Sequence, residues 1–250
     1  RGLWAGSKRW LSSKSSSAQQ QPVVELREDV LYPLYKTDYM KKMSAQTDMK
    51  RHLCFMSQPE VGGTLNIATH AYYFHGGLRE RQEWMRQIEE DDASRQFHES
   101  LKPYIQSQQS SMFVEAPLVK QASLIGMAGM ESVAGSSIND ENDNCILELR
   151  RYYLKLGYDT VPTFLDLYGK GLPSKLEAPG TDPSTSLVTI LYSEVGRLNE
   201  VIEIWRHGNG VPAMEQSRVA ARQAQEWRAA IASIAELAIE FRTSIHRPVF

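Results

Sequence analysis

The clearest pattern in the chain is a short alternation of apolar and polar residues that occurs twice. Residues 23–27 (VVELR) and residues 146–150 (ILELR) carry this alternation, 123 residues apart. A period of two residues is typical of a β-strand with one face turned towards a core. Because the same block recurs, the sequence predicts two copies of one structural unit.

The segments that follow the two blocks also correspond to each other. Residues 32–53 and 158–172 carry apolar residues at helical spacing, and each segment has a proline near its start, where a missing N–H costs little. Residues 65–74 (LNIATHAYYF) and 187–192 (LVTILY) are rich in β-branched and aromatic residues on both faces. They predict a second pair of strands, in a sheet that is covered on both sides.

The rest of each copy predicts helices and a closing strand. An i, i+3, i+4, i+7 stripe predicts a helix in the second copy, formed by Leu198, Val201, Ile202 and Trp205. A narrower stripe at residues 78–88 is its counterpart in the first copy. Further helices are predicted at residues 93–107 and 211–230, and closing strands at residues 112–115 and 238–243.

The resulting order, β-α-β-β-α-β, is that of a ferredoxin-like unit. The sequence therefore predicts an α+β protein with tandem ferredoxin-like repeats at residues 22–117 and 145–250. The segment between them, residues 118–144, is rich in Gly, Ser, Asn and Asp and predicts a flexible linker.

The first 21 residues differ in composition from the rest. They hold four basic residues, many serines and no acidic residue. This is the composition of an organellar transit peptide, and residues 9–12 (RWLS) resemble the processing sites of mitochondrial matrix proteins. We therefore predict a mitochondrial address for residues 1–21; a plastid address and a disordered polar tail are the alternatives.

Charge and composition exclude several classes of function. Residues 22–250 carry 24 basic and 30 acidic residues, which argues against nucleic acid as the main partner. No apolar run approaches the roughly 20 residues of a transmembrane helix, so only a peripheral membrane association stays open. The two cysteines, Cys54 and Cys145, form no C-x-x-C pair and predict neither a disulfide framework nor a zinc site.

In their order and spacing, these segments resemble the NIPSNAP family over about residues 23–250. The resemblance rests on the repeated Glu-Leu-Arg strands and on residues 70–78 (HAYYFHGGL), which are similar to a His-Leu-Trp strand that runs into a Gly-Gly turn. Phe97 and residues 113–115 followed by Pro117 match further features of the family. The chain departs from the family at Tyr72, which replaces Trp, and at residues 189–191 (TIL), which we take as the second His-x-Trp position.

The resemblance implies a dimeric α+β barrel, in which two ferredoxin-like sheets close on each other, here as a pseudo-dimer within one chain. Members of the family are mostly mitochondrial and are associated with protein interactions, organelle quality control and vesicle trafficking, with no agreed enzymatic reaction. The resemblance therefore predicts a non-enzymatic scaffold protein on the matrix side of mitochondria. Its expected partners are other mitochondrial proteins in a larger assembly, or further copies of itself, and no cofactor is expected.

Six residues are candidates for lining a cavity. Glu25 with Arg27, and Glu148 with Arg150, are two residues apart, so each pair projects from one face of its strand. In one interpretation these pairs line a cavity, where they hold an anion or supply a general acid; in the other they form ion pairs across strands, and their repetition favours this structural interpretation. His70 shares a strand face with Tyr72 and is either a ligand or proton carrier in a barrel cavity or a hydrogen-bonded core histidine, which we favour.

Other motifs carry weaker signals. Gly76 and Gly77 precede a helix and form a candidate anion-binding turn, but no Lys-Ser/Thr pair follows as in a phosphate loop, so a tight turn is the simpler interpretation. The histidines have no metal-ligand spacing, and no fingerprint of a catalytic site occurs. The sequence thus predicts no catalytic residue and no metal site.

Analogy with other α+β barrels gives an alternative function. In this hypothesis the chain is an enzyme that binds a small molecule or haem, similar to a monooxygenase or a dehydratase. His70 would be the axial ligand or the acid and base, and Arg27 or Arg150 would hold an anionic group.

Overall fold

The structure is a computed structural model that describes residues 20–45, 51–130 and 144–249. The predicted targeting segment, apart from Gln20 and Gln21, lies outside the described residues, as does most of the second half of the predicted linker.

Eight antiparallel strands form a closed barrel in the order β1-β3-β2-β8-β5-β7-β6-β4. The strands are β1 (Val23–Leu31), β2 (Leu53–Val61), β3 (Ile67–Phe74), β4 (Ile105–Glu115), β5 (Ile146–Leu154), β6 (Thr185–Val195), β7 (Glu200–His207) and β8 (Ala238–Pro248). The predicted α+β barrel is confirmed.

Helices cover the outside of the barrel. They are α1 (Lys36–Ala45), α2 (Gly77–Glu90), α3 (Asp92–Leu101), α4 (Pro117–Gln121), α5 (Thr160–Leu176), α6 (Gly210–Gln223) and α7 (Gln225–Leu237), with 3-10 turns at Pro33–Tyr35 and Lys102–Tyr104. Residues 126–130 are also helical. None of the helices in the described residues is both long and apolar enough to cross a membrane.

Each half of the chain supplies four neighbouring strands of the barrel. The first half gives β4-β1-β3-β2 and the second gives β8-β5-β7-β6, and the halves meet where β2 pairs with β8 and β4 pairs with β6. Both halves place two helices between their third and fourth strands. The two central strands, β1 and β5, begin with the repeated blocks found in the sequence.

The interior of the barrel is filled by apolar side chains. Alternate strand residues form this core, together with Met127 and Met130 from the helical residues 126–130: Val24, Leu26, Cys54, Phe55, Ala71, Phe113, Leu147, Leu149, Val188, Leu191, Ile202 and Ile204. Because side chains alternate along a strand, Glu25 and Arg27, and likewise Glu148 and Arg150, face the helices instead. The charged pairs therefore lie outside the barrel interior, between the sheet and the helical layer.

The helix predicted around residues 198–205 is wrong, because this segment is strand β7. One face of β7 packs into the barrel through Ile202 and Ile204, and the other packs against helices through Val201 and Trp205. A strand that is buried on both faces is apolar almost throughout, so a helical stripe can be read into it as easily as a strand.

The predicted helix at residues 32–53 is too long, because α1 is Lys36–Ala45 and Leu53 already begins β2. Because β2 was not predicted from the sequence, β3 of the first copy was matched with β6 of the second copy instead of with β7. In the structure β3 pairs with β1 as β7 pairs with β5, which places His70 opposite Arg27 and Glu203 opposite Arg150. The second His-x-Trp position therefore reads Glu203, Ile204, Trp205, and residues 189–191 belong to β6.

Two further predicted helices have different limits. The helix at residues 93–107 ends at Leu101, and β4 begins at Ile105. Residues 211–230 form two helices, α6 and α7, which are separated at Ala224. The predicted closing strands are confirmed as parts of β4 and β8.

Candidate functional site

Two clusters of polar side chains lie at equivalent places on the helix-facing side of the barrel. In each cluster a glutamate and an arginine come from the central strand, β1 or β5, and a hydroxyl comes from the strand beside it. Arg27 lies opposite Ser110 of β4, and Arg150 lies opposite Thr243 of β8. Both hydroxyls donate to the glutamate of their own half, Ser110 to Glu25 and Thr243 to Glu148.

In the first cluster, both carboxylate oxygens of Glu25 accept hydrogen bonds. Arg81 of α2 donates from Nε and Nη2 to the two carboxylate oxygens at 2.9 and 3.2 Å, and Ser110 donates at 2.6 Å. Burial raises the pKa of Glu25, but the hydrogen bonds from Arg81 and Ser110 outweigh it and leave the pKa below its ordinary value. Glu25 is therefore ionised and fully paired.

His70 belongs to a buried chain of hydrogen bonds with Tyr39 and Asp29. Tyr39 donates its hydroxyl proton to Asp29 Oδ2 at 2.5 Å, so its oxygen accepts from His70 Nε2 at 3.0 Å. Burial lowers the pKa of His70 to about 3, and Arg27 acts in the same direction. His70 is therefore neutral with its proton on Nε2, and its Nδ1 has no partner among the described residues.

The rest of the first cluster is closed by aromatic rings. Arg27 donates from Nη2 to the Tyr72 hydroxyl at 2.5 Å, and the Tyr72 ring packs against Trp84 of α2 with centroids 5.3 Å apart. His70 and Tyr72 are each 0% exposed. A group as large as haem would have to displace these rings to reach His70, so the residues at this position do not fit haem with His70 as its axial ligand.

The second cluster is centred on Glu148 of β5. Its carboxylate accepts from Arg150 Nε at 2.7 Å, Arg218 Nη2 at 2.6 Å, Thr243 Oγ1 at 3.1 Å and His207 Nε2 at 3.2 Å. Burial raises the pKa of Glu148, but His207 and the two arginines more than offset this and hold the pKa far below its usual range. The carboxylate is therefore ionised and accepts hydrogen bonds from four surrounding donors.

A cavity of about 560 Å³ opens beside Glu148, between the sheet and helices α5, α6 and α7. Its volume falls in the range that holds a small organic molecule. Exposed side chains of α6, α7 and β8 form its mouth: Arg222, Arg228, Ala232 and Phe241. Its deeper wall includes Trp205 of β7 and Trp227 of α7, which are both buried.

The lining of this cavity combines aromatic rings with positive charge. One carboxylate, Glu148, faces five basic side chains: Arg150, Lys175, Arg218, Arg222 and Arg228. Thr181 Oγ1 and Arg218 Nε are buried without a hydrogen-bond partner among the described residues. Because buried polar groups are normally paired, these two atoms have unused capacity to bind a ligand.

In the first half, a tryptophan lies at the position equivalent to Ser217 in the cavity wall. Helices α2 and α6 each have 14 residues and begin at a glycine with positive φ, Gly77 at 67° and Gly210 at 72°. Seven residues after that glycine, α2 carries Trp84 and α6 carries Ser217. Trp84 packs on Tyr72 and Phe74, whereas Ser217 lines the cavity.

Of the six candidate residues from the sequence, Glu148 and Arg150 line the cavity. The structure places Glu25, Arg27, His70 and Tyr72 in the closed cluster of the other half. At the candidate anion-binding turn, the Gly76 N–H donates to Glu80 of its own helix at 2.7 Å, and the Gln21 carbonyl lies 2.6 Å from where a Cβ on Gly77 would be. These neighbours occupy the place of an external anion.

Sequence reasoning missed Lys175, although a signal was present. The apolar stripe of α5 runs through Phe164, Tyr168 and Leu172, and Lys175 continues it at i+3. A lysine on a buried apolar stripe is uncommon, because charged residues are seldom fully buried. Trp205 and Trp227 were also missed, because they come together only through the packing of β7 against α7.

No metal site is evident in the part of the chain that the structure describes. No group of three or more His, Cys, Asp or Glu side chains in these residues is arranged to hold a metal ion.

Solved structures share the whole architecture at low sequence identity. A candidate monooxygenase from Fusobacterium nucleatum aligns over 92% of this chain and 94% of its own, at 9% identity and a TM-score of 0.58. An anthrone oxidase-like protein aligns over 94% of both chains, at 12% identity and a TM-score of 0.55. The chain has the α+β barrel fold of these proteins.

A NIPSNAP-family protein of unknown function from Agrobacterium tumefaciens aligns with 44% of this chain and 94% of its own, at 22% identity. The TM-score of this alignment is 0.38. A scan against protein-family models finds no match, and neither does a search of curated proteins.

Proposed function

We propose that this protein is an α+β barrel enzyme that binds an anionic aromatic molecule in the cavity of its second half. The observation that supports this most directly is the cavity of about 560 Å³, in which basic side chains surround one carboxylate beside two tryptophans. The name of one structural neighbour, an anthrone oxidase-like protein, points to an aromatic compound of this kind. This proposal is the small-molecule alternative that the sequence predicts, but its binding site lies in the second half and not at His70.

The charges favour an anion over a neutral ligand. Glu148 is already engaged by Arg150, Arg218 and His207, so it neutralises only part of the positive charge around it. Arg222 and Arg228 at the mouth are exposed and add further positive charge. A carboxylate or phenolate can bind at Arg218 Nε and the mouth, while its ring lies against Trp205 or Trp227.

Isothermal titration calorimetry with 2-naphthoate and 2-naphthylmethanol tests this function. The two probes share one ring system, and only the first carries a negative charge. We expect 2-naphthoate to bind with one site per chain and at least about tenfold more tightly than the alcohol, since about 1.4 kcal/mol is a modest gain for an ion in a partly buried site. Equal affinity for both, or no binding of naphthoate at all, would contradict the proposal.

A matched pair of variants places the binding in the cavity. Ser217→Trp introduces into the cavity wall the side chain that fills the first half, and we expect it to abolish naphthoate binding. Val219→Trp adds the same side chain on the same helix at an exposed position, and we expect it to leave binding unchanged. Thermal unfolding of both variants checks that they are folded.

We also propose that the chain consists of two fused ferredoxin-like units of the NIPSNAP type. The support is the strand order, in which β4-β1-β3-β2 of the first half matches β8-β5-β7-β6 of the second. The equivalent glycines, Gly77 and Gly210, agree with this proposal. An experimental structure in which the two halves do not superpose strand by strand would overturn it.

A second candidate function is that of a mitochondrial interaction protein, as the resemblance predicts. Two loops at one end of the second half expose large apolar side chains, Leu156, Tyr158 and Leu198. These loops are adjacent, because Asn199 Nδ2 donates to the Lys155 carbonyl at 2.7 Å. Import into isolated mitochondria followed by crosslinking tests this function. A protein that stays outside the organelle would contradict it. A protein that crosslinks to no partner, or whose partners are all retained in Tyr158→Ser, would also contradict it.

A further inference from the structure

Lys175 occupies an unusual position in the wall of the cavity. It lies in the last turn of α5, and its side chain is buried between two indole rings. Its Nζ is 3.5 Å from the centroid of the Trp205 ring and 4.4 Å from that of Trp227. The amine is therefore held in place by rigid side chains next to the space for a ligand.

Lys175 Nζ forms no hydrogen bond and no ion pair within residues 20–45, 51–130 and 144–249. A buried lysine normally has such a partner. Lys170, on the same helix, shows the ordinary arrangement: it is exposed and pairs with Asp166 at 2.6 Å. The nitrogen lone pair of Lys175 is thus not committed to any protein group.

The surroundings of Lys175 favour the neutral amine. Burial lowers its pKa to about 7, and Arg150 and Arg218 act in the same direction, whereas Glu203 and Glu148 oppose them. The indole faces favour the ammonium. At neutral pH Lys175 therefore loses its proton more readily than an ordinary lysine, and an uncharged amine is the form that attacks a carbonyl.

We propose that Lys175 forms an imine with the aldehyde or ketone group of an anionic aromatic compound bound in the cavity; the class of ligand rests on the proposed function above. The amine nitrogen attacks the carbonyl carbon, a C–N bond forms, and a proton passes from nitrogen to the carbonyl oxygen. The C–O bond then breaks, and the two hydrogens of the amine leave with that oxygen as water. The step needs no oxidant, reductant or metal.

Reductive trapping measures this reactivity directly. The protein is treated at pH 7 with 6-formyl-2-naphthoate and sodium cyanoborohydride, and each lysine is followed by peptide mass spectrometry. We expect Lys175 to be labelled at least about tenfold faster than Lys170, because an ordinary lysine with a pKa near 10.4 is almost entirely protonated at this pH. Excess 2-naphthoate should protect Lys175 and leave Lys170 unaffected.

Formaldehyde is the matched probe, because it is too small to depend on recognition by the cavity. We expect formaldehyde also to label Lys175 faster than Lys170, with a rate that rises between pH 6 and pH 8. Lys175→Arg should remove the fast label, and thermal unfolding checks that this variant is folded. The comparison of Lys175 with Lys170 uses the wild-type protein, so it does not depend on the variant being folded.

The possible outcomes separate this inference from the proposed function. If 2-naphthoate binds but neither aldehyde prefers Lys175, the imine is excluded and the binding function stands. If formaldehyde prefers Lys175 but 6-formyl-2-naphthoate does not, and naphthoate does not bind, the anionic aromatic ligand is excluded for both proposals. Fast labelling by both aldehydes, with protection by naphthoate, supports the inference.

Discussion

Ser217 occupies in α6 the position that Trp84 occupies in α2, and its small side chain leaves room for the cavity of the second half. Both residues lie seven positions after a glycine with positive φ, on helices of equal length. The Trp84 ring packs against His52, Tyr72 and Phe74 at centroid distances between 5.3 and 5.5 Å. At this position the first half is packed with aromatic rings, whereas the second half has the cavity in which we propose that a ligand binds.

Trp84→Ala should therefore destabilise the protein without affecting the ligand site. Removing a buried tryptophan leaves a large void, and we expect a loss of about 3–5 kcal/mol in the free energy of unfolding. Urea unfolding at pH 7 measures this loss, and calorimetry with 2-naphthoate should show unchanged affinity below the transition. A loss below about 1 kcal/mol would mean that Trp84 does not support the first half.

Arg222→Glu should weaken naphthoate binding while leaving stability nearly unchanged. Arg222 is exposed at the mouth of the cavity, so reversing its charge acts on the ligand through solvent-screened Coulomb forces. We expect a loss of affinity of about threefold to tenfold at low salt, which shrinks as salt is added. Arg51→Glu makes the same change in net charge at an exposed position of the first half and should have no effect on binding.

The repeated blocks identified the fold because their pattern is local. In residues 23–27 and 146–150, apolar side chains alternate with Glu and Arg, and the structure uses this alternation to separate barrel interior from helical layer. Strand β7 was mistaken for a helix because both of its faces are covered, and periodicity alone does not distinguish such a strand from a buried helix. The loss of β2 from the prediction followed from extending α1 through residue 53.

The candidate site could be predicted only in part. Glu148 and Arg150 were identified because the Glu-Leu-Arg motif of residues 25–27 recurs at residues 148–150, and each copy lies within a single strand. The cavity beside them depends on α5, α6 and α7, which come from distant parts of the chain, and on the small side chain of Ser217. Since a single sequence does not give the register of helices on a sheet, Lys175 and the two tryptophans could not be brought together from the sequence alone.

Gly210→Ala should disturb both the fold and the site. Gly210 has a φ of 72°, and a Cβ there would lie 2.6 Å from the Asn144 carbonyl oxygen, which no rotation of a side chain can relieve. We expect a loss of stability of at least about 1–2 kcal/mol. Because α6 begins at this residue and carries Met214, Ser217 and Arg218 of the cavity wall, naphthoate binding should weaken as well.

Gly63→Ala is the matched control for this prediction. A Cβ on Gly63 meets no atom within 4 Å, and its φ lies outside the left-handed region. This variant should keep wild-type binding and change stability by less than about 1 kcal/mol, in the stabilising direction if at all. If the two variants behave alike in thermal unfolding, the strain assigned to Gly210 is wrong.

His70 should make the protein less stable as the pH falls from 6.5 to 5. Burial and Arg27 lower its pKa in the folded state to about 3, with Asp29 and Glu25 acting against them, whereas an unfolded histidine titrates near 6.5. Between these values the unfolded state binds a proton that the folded state does not, so the free energy of unfolding rises with pH. The stability from neutral His70 is therefore present above pH 6.5 and is lost progressively below it.

His70→Gln keeps a donor for Tyr39 and removes this titration. Between pH 6.5 and pH 5 we therefore expect the stability of this variant to fall by about 1.5 kcal/mol less than that of the wild type. His246, whose pKa burial also lowers to about 3, provides an independent check, because His246→Gln should reduce the fall by a similar amount and the double variant by the sum. Urea unfolding at the two pH values measures all four proteins. A pH dependence that is unchanged in His70→Gln would show that the pKa of His70 is the same in the folded and unfolded states, which would contradict its assignment as a neutral donor to Tyr39.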